Sequence, residues 1–253
     1  MAAAAVLAFL GGLLVGSFLT VVAHRVPRRE SVVGPRSRCP GCGAQIAAYD
    51  NVPVFSWIAL RGRCRGCGEH ISARYPLAEL AMAILFTATA LVLGIDDLGQ
   101  LAMGLVFCAM LVTITLTDLE ERIIPNAILA AGAVAAIAIA AFTDPSSLSE
   151  RAIAAAGGGV FMLAFAVAYP KGMGMGDVKL VAVMGLFLGK ALIPALAVAV
   201  FAGAIVGLVT MLRHGPEARK HAIPFGPFLA LGGVVGLLAG NEMLDWYLDT
   251  FVR

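Results

Sequence analysis

Gly172-Met173-Gly174-Met175-Gly176-Asp177-Val178-Lys179 lies between two apolar stretches, 152–169 and 179–195. Each stretch is near the ~20 residues a helix needs to cross a bilayer. The octapeptide therefore reads as a glycine-rich turn at a membrane surface, with a carboxylate in it. A second carboxylate, Asp118, closes another apolar stretch, Leu101 to Thr117. Acidic side chains at the edge of a membrane are costly and mark functional positions.

Working outward, apolar runs of spanning length recur at 3–22, 77–94, 100–117, 125–142, 152–169, 179–195, 195–212 and 226–244. The sixth and seventh share a boundary near Lys190-Ala191-Leu192-Ile193-Pro194, which reads as a tight hairpin. The chain has 253 residues, 60% hydrophobic and 13% charged. Soluble domains are nearer half apolar and a quarter charged. The expected fold is an all-α polytopic membrane protein of about eight transmembrane helices. Alanine-rich stretches, Met1 to Ala5 and Ala130 to Ala141, suit closely packed helices.

Lysine and arginine set the orientation. Nine arginines fall in 23–75: Arg25, Arg28, Arg29, Arg36, Arg38, Arg61, Arg63, Arg65 and Arg74. That loop is expected in the cytoplasm and the N-terminus outside. Alternating eight spans from there puts 15 of the 18 Lys and Arg inside, including Arg122, Lys171, Lys179, Arg213, Arg219 and Lys220. The first span has no basic residues before it, so it reads as a retained anchor rather than a cleaved signal. Three segments are expected: an N-out helix over 1–22, a cytoplasmic cysteine-knuckle loop over 23–76, and a seven-helix membrane domain over 77–253.

Four of the five cysteines lie in the loop, as Cys39-Pro40-Gly41-Cys42 and Cys64-Arg65-Gly66-Cys67, with 21 residues between the pairs. Paired C-x2-C knuckles are the grammar of a structural tetrahedral Zn²⁺ site. A cytoplasmic setting argues against disulfides. Reduced thiols or a redox pair is the plainer alternative. Cys108, mid-span, is expected to be inert. No repeat is evident along the chain. Tyr49 to Trp57 reads as a turn followed by a small aromatic patch.

Two carboxylates on one side of a bilayer suit an aspartyl hydrolase. One, ionised, activates water; the other, protonated, polarises the carbonyl, and their titration belongs to the pair. Asp118 and Asp177 are the expected pair. Gly174 and Gly176 would let an extended peptide lie close to the backbone, with Lys179 balancing charge. Taken singly, Asp118 could be a helix-end charge and Asp177 an N-cap. Glu120 and Glu121 read as a wetted loop after Asp118. His24, His70, His214 and His221 show no metal-ligand spacing. No Walker loop, Ser-His-Asp set or dinucleotide motif is present, and no nucleic-acid partner is expected.

Together these residues resemble a known family, the bacterial type IV prepilin peptidases, which are bifunctional leader peptidase/N-methyltransferases. The resemblance runs from about Gly16 to Gly233. Its pieces are Gly16-Ser17-Phe18-Leu19, His24-Arg25-Val26-Pro27-Arg28, both cysteine knuckles, Asp50-Asn51-Val52-Pro53, Arg74-Tyr75-Pro76-Leu77-Ala78-Glu79, Asp118 with Ile124-Pro125, the octapeptide, and Ile223-Pro224-Phe225-Gly226-Pro227-Phe228. Thr20 and Asn126 depart from the residues common in the family.

The resemblance implies a GxGD-type aspartyl peptidase of the bacterial inner membrane, with Asp118 and Asp177 catalytic. It implies cleavage of type IV pilin and pseudopilin precursors after a glycine, at the cytoplasmic face. It further implies N-methylation of the new terminus with S-adenosylmethionine, for which Asp50 and Glu79 are candidates by location only. Three other readings stand beside it. One is a peptidase whose zinc loop is purely structural. Another is a transporter or proton relay using the paired acids, disfavoured by their place at the membrane edge and by the absence of inverted-repeat hydropathy. The last is a zinc-knuckle scaffold. Pro194-Ala195-Leu196, a triplet shared with presenilin-like proteases, falls on the predicted outer side and is taken as coincidence. The oligomeric state is not legible.

Overall fold

The computed structural model describes residues 2–169, 173–214 and 224–252, the side chain of His214 excepted. Lys171 and Gly172 of the glycine-rich turn lie outside the described residues, as does the basic loop with Arg219, Lys220, His221 and Ile223. The described residues form α1 (Ala2–Arg25), α2 (Phe55–Ala59), α3 (Arg74–Leu93), α4 (Leu98–Glu121), α5 (Asn126–Thr143), α6 (Leu148–Ala168), α7 (Met175–Leu188), α8 (Leu192–His214) and α9 (Gly226–Phe251), with no strand among them. Apart from α2, these are the eight expected helices, and the all-α polytopic fold holds. Seven stretches are long and apolar enough to cross a membrane when the 39-residue run Met175–Arg213 is counted as one. That run is broken at Gly189 (φ 55°) by a 3₁₀ turn, Gly189–Ala191, which separates α7 from α8.

The chain divides into two compact units, Met1–Ile95 and Asp96–Arg253. In the first, α1 packs along α3. Gly12 and Gly16, four residues apart, make this possible. A Cβ on Gly12 would stand 2.5 Å from the Ala83 Cα, and one on Gly16 would stand 2.8 Å from the Glu79 Cα. Small residues at this spacing let helix backbones touch in lipid, where no hydrophobic drive joins them.

Two matching knuckles lie between α1 and α3, one on either side of α2. Arg38-Cys39-Pro40-Gly41-Cys42-Gly43-Ala44-Gln45 and Arg63-Cys64-Arg65-Gly66-Cys67-Gly68-Glu69-His70 share one hydrogen-bond pattern. In each, the first cysteine's carbonyl accepts from the glycine four residues on, Gly43 or Gly68, at 2.9 Å. Each knuckle is closed by a bridge, Arg38 to Gln45 or Arg63 to His70. So the chain does hold a short internal repeat, contrary to the expectation of none. The turn-making glycines are Gly43 (φ 70°) and Gly68 (φ 75°), just after each pair, rather than those inside it. Trp57 ties the segment after α2, its indole N–H donating to the Ile71 carbonyl at 2.9 Å.

The second unit has one apolar core, built from Phe107, Leu111 and Ile114 of α4, Leu180 and Met184 of α7, and Leu229 of α9. Phe107 stacks on Phe187 with ring centres 4.8 Å apart. With 14 residues, α7 is about 21 Å long, short of the ~30 Å hydrocarbon core. Its far end is held by α6. Arg151 donates to the Leu186 and Phe187 carbonyls at 2.9 and 2.6 Å, and the Lys190 N–H donates to Glu150 at 2.9 Å. The two Arg151 bonds satisfy carbonyls that a helix end leaves unpaired.

Candidate active site

Two helix boundaries differ from expectation, and both bear on the aspartates. The third span continues to Glu121 instead of stopping at Thr117. Asp118 therefore stands inside α4, one turn before its end. Leu119, Glu120 and Glu121 are helix rather than loop. Arg122, in the left-handed region (φ 54°), ends α4, and its N–H donates to the Asp118 carbonyl at 3.1 Å. The sixth span begins at Met175 rather than 179, with Gly174 as N-cap. Asp177 is thus the third helical residue and not the cap. Its carboxylate reaches back to accept from the Gly174 N–H at 3.2 Å, while its own N–H donates to the Gly174 carbonyl at 3.1 Å. This is the reciprocal arrangement of a capping box.

The Asp118 side chain is 7% exposed. Its Oδ2 accepts from the Gly226 N–H, the first residue of α9, at 2.9 Å. The approach leaves no room for a side chain, since a Cβ on Gly226 would fall 2.6 Å from that oxygen. Pro227 follows at the first helical turn, where its missing N–H costs nothing. Asp177 is half-buried, and Asp118 is near enough for its charge to act on it, less strongly than burial does. Gly176 abuts Ile124, where a Cβ would lie 3.1 Å from the Ile124 Cβ. Lys179 donates to the Asn126 side-chain oxygen at 3.0 Å, joining the starts of α5 and α7. Its resolved partner is thus Asn126 rather than a carboxylate of the pair. Gly226 and Asn126 are the contributors that residue reading did not single out.

The cysteines form the second constellation. All five are free thiols. The sulfur atoms of Cys39, Cys42, Cys64 and Cys67 lie within 4.8 Å of one another, and those of Cys39 and Cys67 are 3.7 Å apart. Tetrahedral thiolates at a Zn–S length of about 2.3 Å stand about 3.8 Å apart. The donor set and its size fit a tetrahedral cation. Backbone N–H groups of Cys67 and Gly66 hold the Cys64 thiol down to about 7.

The two carboxylates considered for methyl transfer already have partners. Arg65 grips Asp50 through both oxygens, at 2.6 and 2.9 Å, and this guanidinium holds the Asp50 carboxyl below its usual range. Arg65 also lies over the Tyr49 ring. Glu79 is 7% exposed. It accepts from the Val54 N–H at 2.7 Å and bonds the Ser17 hydroxyl. Val54 has φ 62°, a strained position for a β-branched residue. Both carboxylates are thus already engaged within the loop, and no methyl-transfer step is derived through S-adenosylmethionine.

Residues 10–93 match the bacterial peptidase A24 N-terminal domain, and residues 105–208 match the type IV leader peptidase family. The chain is 36% identical to the prepilin leader peptidase/N-methyltransferase of Aeromonas hydrophila, over 97% of this chain and 94% of the relative. It is 42% identical to the protein of that name from Myxococcus xanthus, over 85% of this chain and 67% of the relative. It is 33% identical to that of Bacillus subtilis, over 95% and 96%. No solved structure is a significant match.

Proposed function

The chain belongs to the type IV leader peptidase family, and from that premise we propose that it is a membrane aspartyl endopeptidase that removes the leader of type IV pilin and pseudopilin precursors. What supports this is that Asp118 and Asp177 both stand near helix ends of the second unit, each accepting from a backbone N–H at the start of a different helix. In this reading Asp118 is the ionised member, because a buried N–H from the positive end of α9 favours the charged carboxylate. It takes a proton from water as the oxygen adds to the scissile carbonyl. Asp177 carries the shared proton and gives it to that carbonyl oxygen. The carbon–nitrogen bond then breaks, and the departing amine takes a proton back from the pair.

The substrate's apolar helix stays in the bilayer, and only the junction beside it meets water. Gly174, Gly176 and Lys179 line the approach of the extended backbone. Helices over 77–253 form the peptidase domain. The start of α1 faces outward and the dyad faces the cytoplasm, as the arginines of 23–75 favour. Cleavage follows a glycine.

A Zn²⁺ held by Cys39, Cys42, Cys64 and Cys67 would staple the loop of 23–76, which has too small an apolar core to fold alone. Four thiolates leave no open position, so the ion is structural. The N-methyltransferase activity named for the relatives uses S-adenosylmethionine as methyl donor. It is assigned here to the first unit, with Asp50 and Glu79 as the side chains to test first. The experiment for the peptidase is incubation of a pilin-like precursor with the purified protein and with its Asp118→Asn form. Cleavage by the first alone supports the reading; cleavage by both defeats it.

A further inference from the structure

A cavity of about 270 Å³ opens in the first unit where α1 ends. Phe18 and Val21 line it on the α1 side, Arg25 and Arg36 bring positive charge, and Ser37 and Asn51 bring neutral polar groups. None of its lining residues is acidic. Arg25 shapes the wall, donating to the Ser31 and Pro35 carbonyls at 2.8 and 2.6 Å. A guanidinium has five N–H donors, so both bonds leave donors over. Arg36 is exposed.

A stripe on α1 leads into this cavity. Leu7, Leu10, Leu14 and Phe18 are all exposed, and Val21 and Arg25 continue them at three- and four-residue steps, along one face of a helix. From Leu7 to Phe18 the stripe is about 17 Å long. Half of the ~30 Å hydrocarbon core is about 15 Å. An apolar track one leaflet deep therefore ends at a pair of arginines with hydroxyl and amide groups beside them.

The geometry points to a binding site for one anionic phospholipid, its phosphate at Arg25 and Arg36 and an acyl chain along Phe18, Leu14, Leu10 and Leu7. Charge decides against the other occupants. S-adenosylmethionine carries a sulfonium and an ammonium against one carboxylate, a net positive charge. The basic leader expected of a pilin precursor is positive too. Both would meet two arginines and no acid. An anionic headgroup meets complementary charge in a partly desolvated pocket, where an arginine–phosphate bond is strong.

The test is native mass spectrometry of the full-length protein released from nanodiscs of phosphatidylglycerol or of phosphatidylcholine. Wild-type protein is expected to keep one phosphatidylglycerol and no phosphatidylcholine. Arg36→Glu reverses a cavity charge, and Ser37→Asp adds a negative one without touching an arginine. Given about 1 kcal/mol per charge near a lipid surface, Arg36→Glu should weaken retention at least about tenfold and Ser37→Asp about fivefold. Arg29→Glu, in the same loop but outside the cavity, should retain the lipid. Unchanged precursor cleavage by the variants would establish that they fold. Equal loss in all three variants would mean general attraction to a basic loop and would overturn the site. So would retention indifferent to headgroup charge, or a cavity variant that weakens S-adenosylmethionine binding while keeping the lipid.

Discussion

The Gly226 N–H donates to Asp118 Oδ2 across 108 residues of sequence, in a buried bond of 2.9 Å. This bond fixes one carboxylate of the candidate pair to the start of α9, so the position of that helix and the orientation of the acid are one variable. Replacing Gly226 by alanine would push a methyl group into the oxygen, at 2.6 Å before relaxation. Displacement of a reacting group by about 1 Å costs on the order of 10²-fold in rate. Gly226→Ala is expected to lower kcat by about that factor, with KM little changed. Steady-state kinetics on a precursor peptide check it, and a change confined to KM would assign Gly226 to substrate binding instead.

Lys179 should matter less. Its bond to Asn126 is a single exposed contact, and such bonds contribute about 0.5–1.5 kcal/mol. Lys179→Met is expected to lower thermal stability by an amount at the bottom of that range. Asn126→Asp, which keeps an acceptor and adds a charge partner, should be neutral or stabilising. Melting curves of both variants in one detergent decide this. A loss of cleavage in Lys179→Met without loss of stability would mean that the ammonium binds the substrate and does more than line its approach.

Removing metal should unfold the loop without emptying the bilayer. One Zn²⁺ per chain is expected by elemental analysis, falling to none in a form with Cys39 and Cys64 changed to serine. Trp57 lies in α2, between the two knuckles in sequence, and is bonded to Ile71 just after the second, so its fluorescence should shift when the ion is stripped, while the helical content of the spans persists. Full zinc content in the double serine variant would refute the four-cysteine site.

The Asp50–Arg65 pair makes a prediction about pH. Arg65 depresses the Asp50 carboxyl in the folded loop. A depressed acid contributes stability above its unfolded value, and the contribution is lost as pH falls through the folded one. Asp50→Asn should therefore melt below wild type at neutral pH, and the gap should close below the ordinary carboxylate range. A gap that persists into strong acid would mean that Asp50 acts by shape rather than by charge.

Much of this architecture was readable because lipid imposes length. Each long helix covers an apolar run, and the knuckles announce themselves by spacing. The ends of the helices were harder. Leu119-Glu120-Glu121 are good helix formers, so nothing local stops α4 until Arg122 turns left-handed. At α7, a glycine N-cap with an aspartate three residues on is a legible start signal, but the hydrophobic run begins later and masks it. The repeat of the knuckles was present in the letters from Arg38 to Gln45 and Arg63 to His70, yet the lone R-C-x-G-C-G core is too short to stand out. The bonds Asp118–Gly226 and Lys179–Asn126 carry no local signal at all. They exist only because packing α4, α5, α7 and α9 around Phe107, Leu111 and Met184 brings distant helix ends together.

The most direct test of the central claim is mass spectrometry of the mature product from a pilin-like precursor, incubated with the purified protein and with its Asp177→Asn form, with and without S-adenosylmethionine. The account predicts loss of the leader by the wild-type protein alone, with a gain of one methylene on the new terminus only when the methyl donor is present. Removal of one acid–base partner costs about 10²–10⁴-fold, so the variant should leave the precursor intact over the same period. Leader removal by Asp177→Asn at the wild-type rate would contradict the dyad.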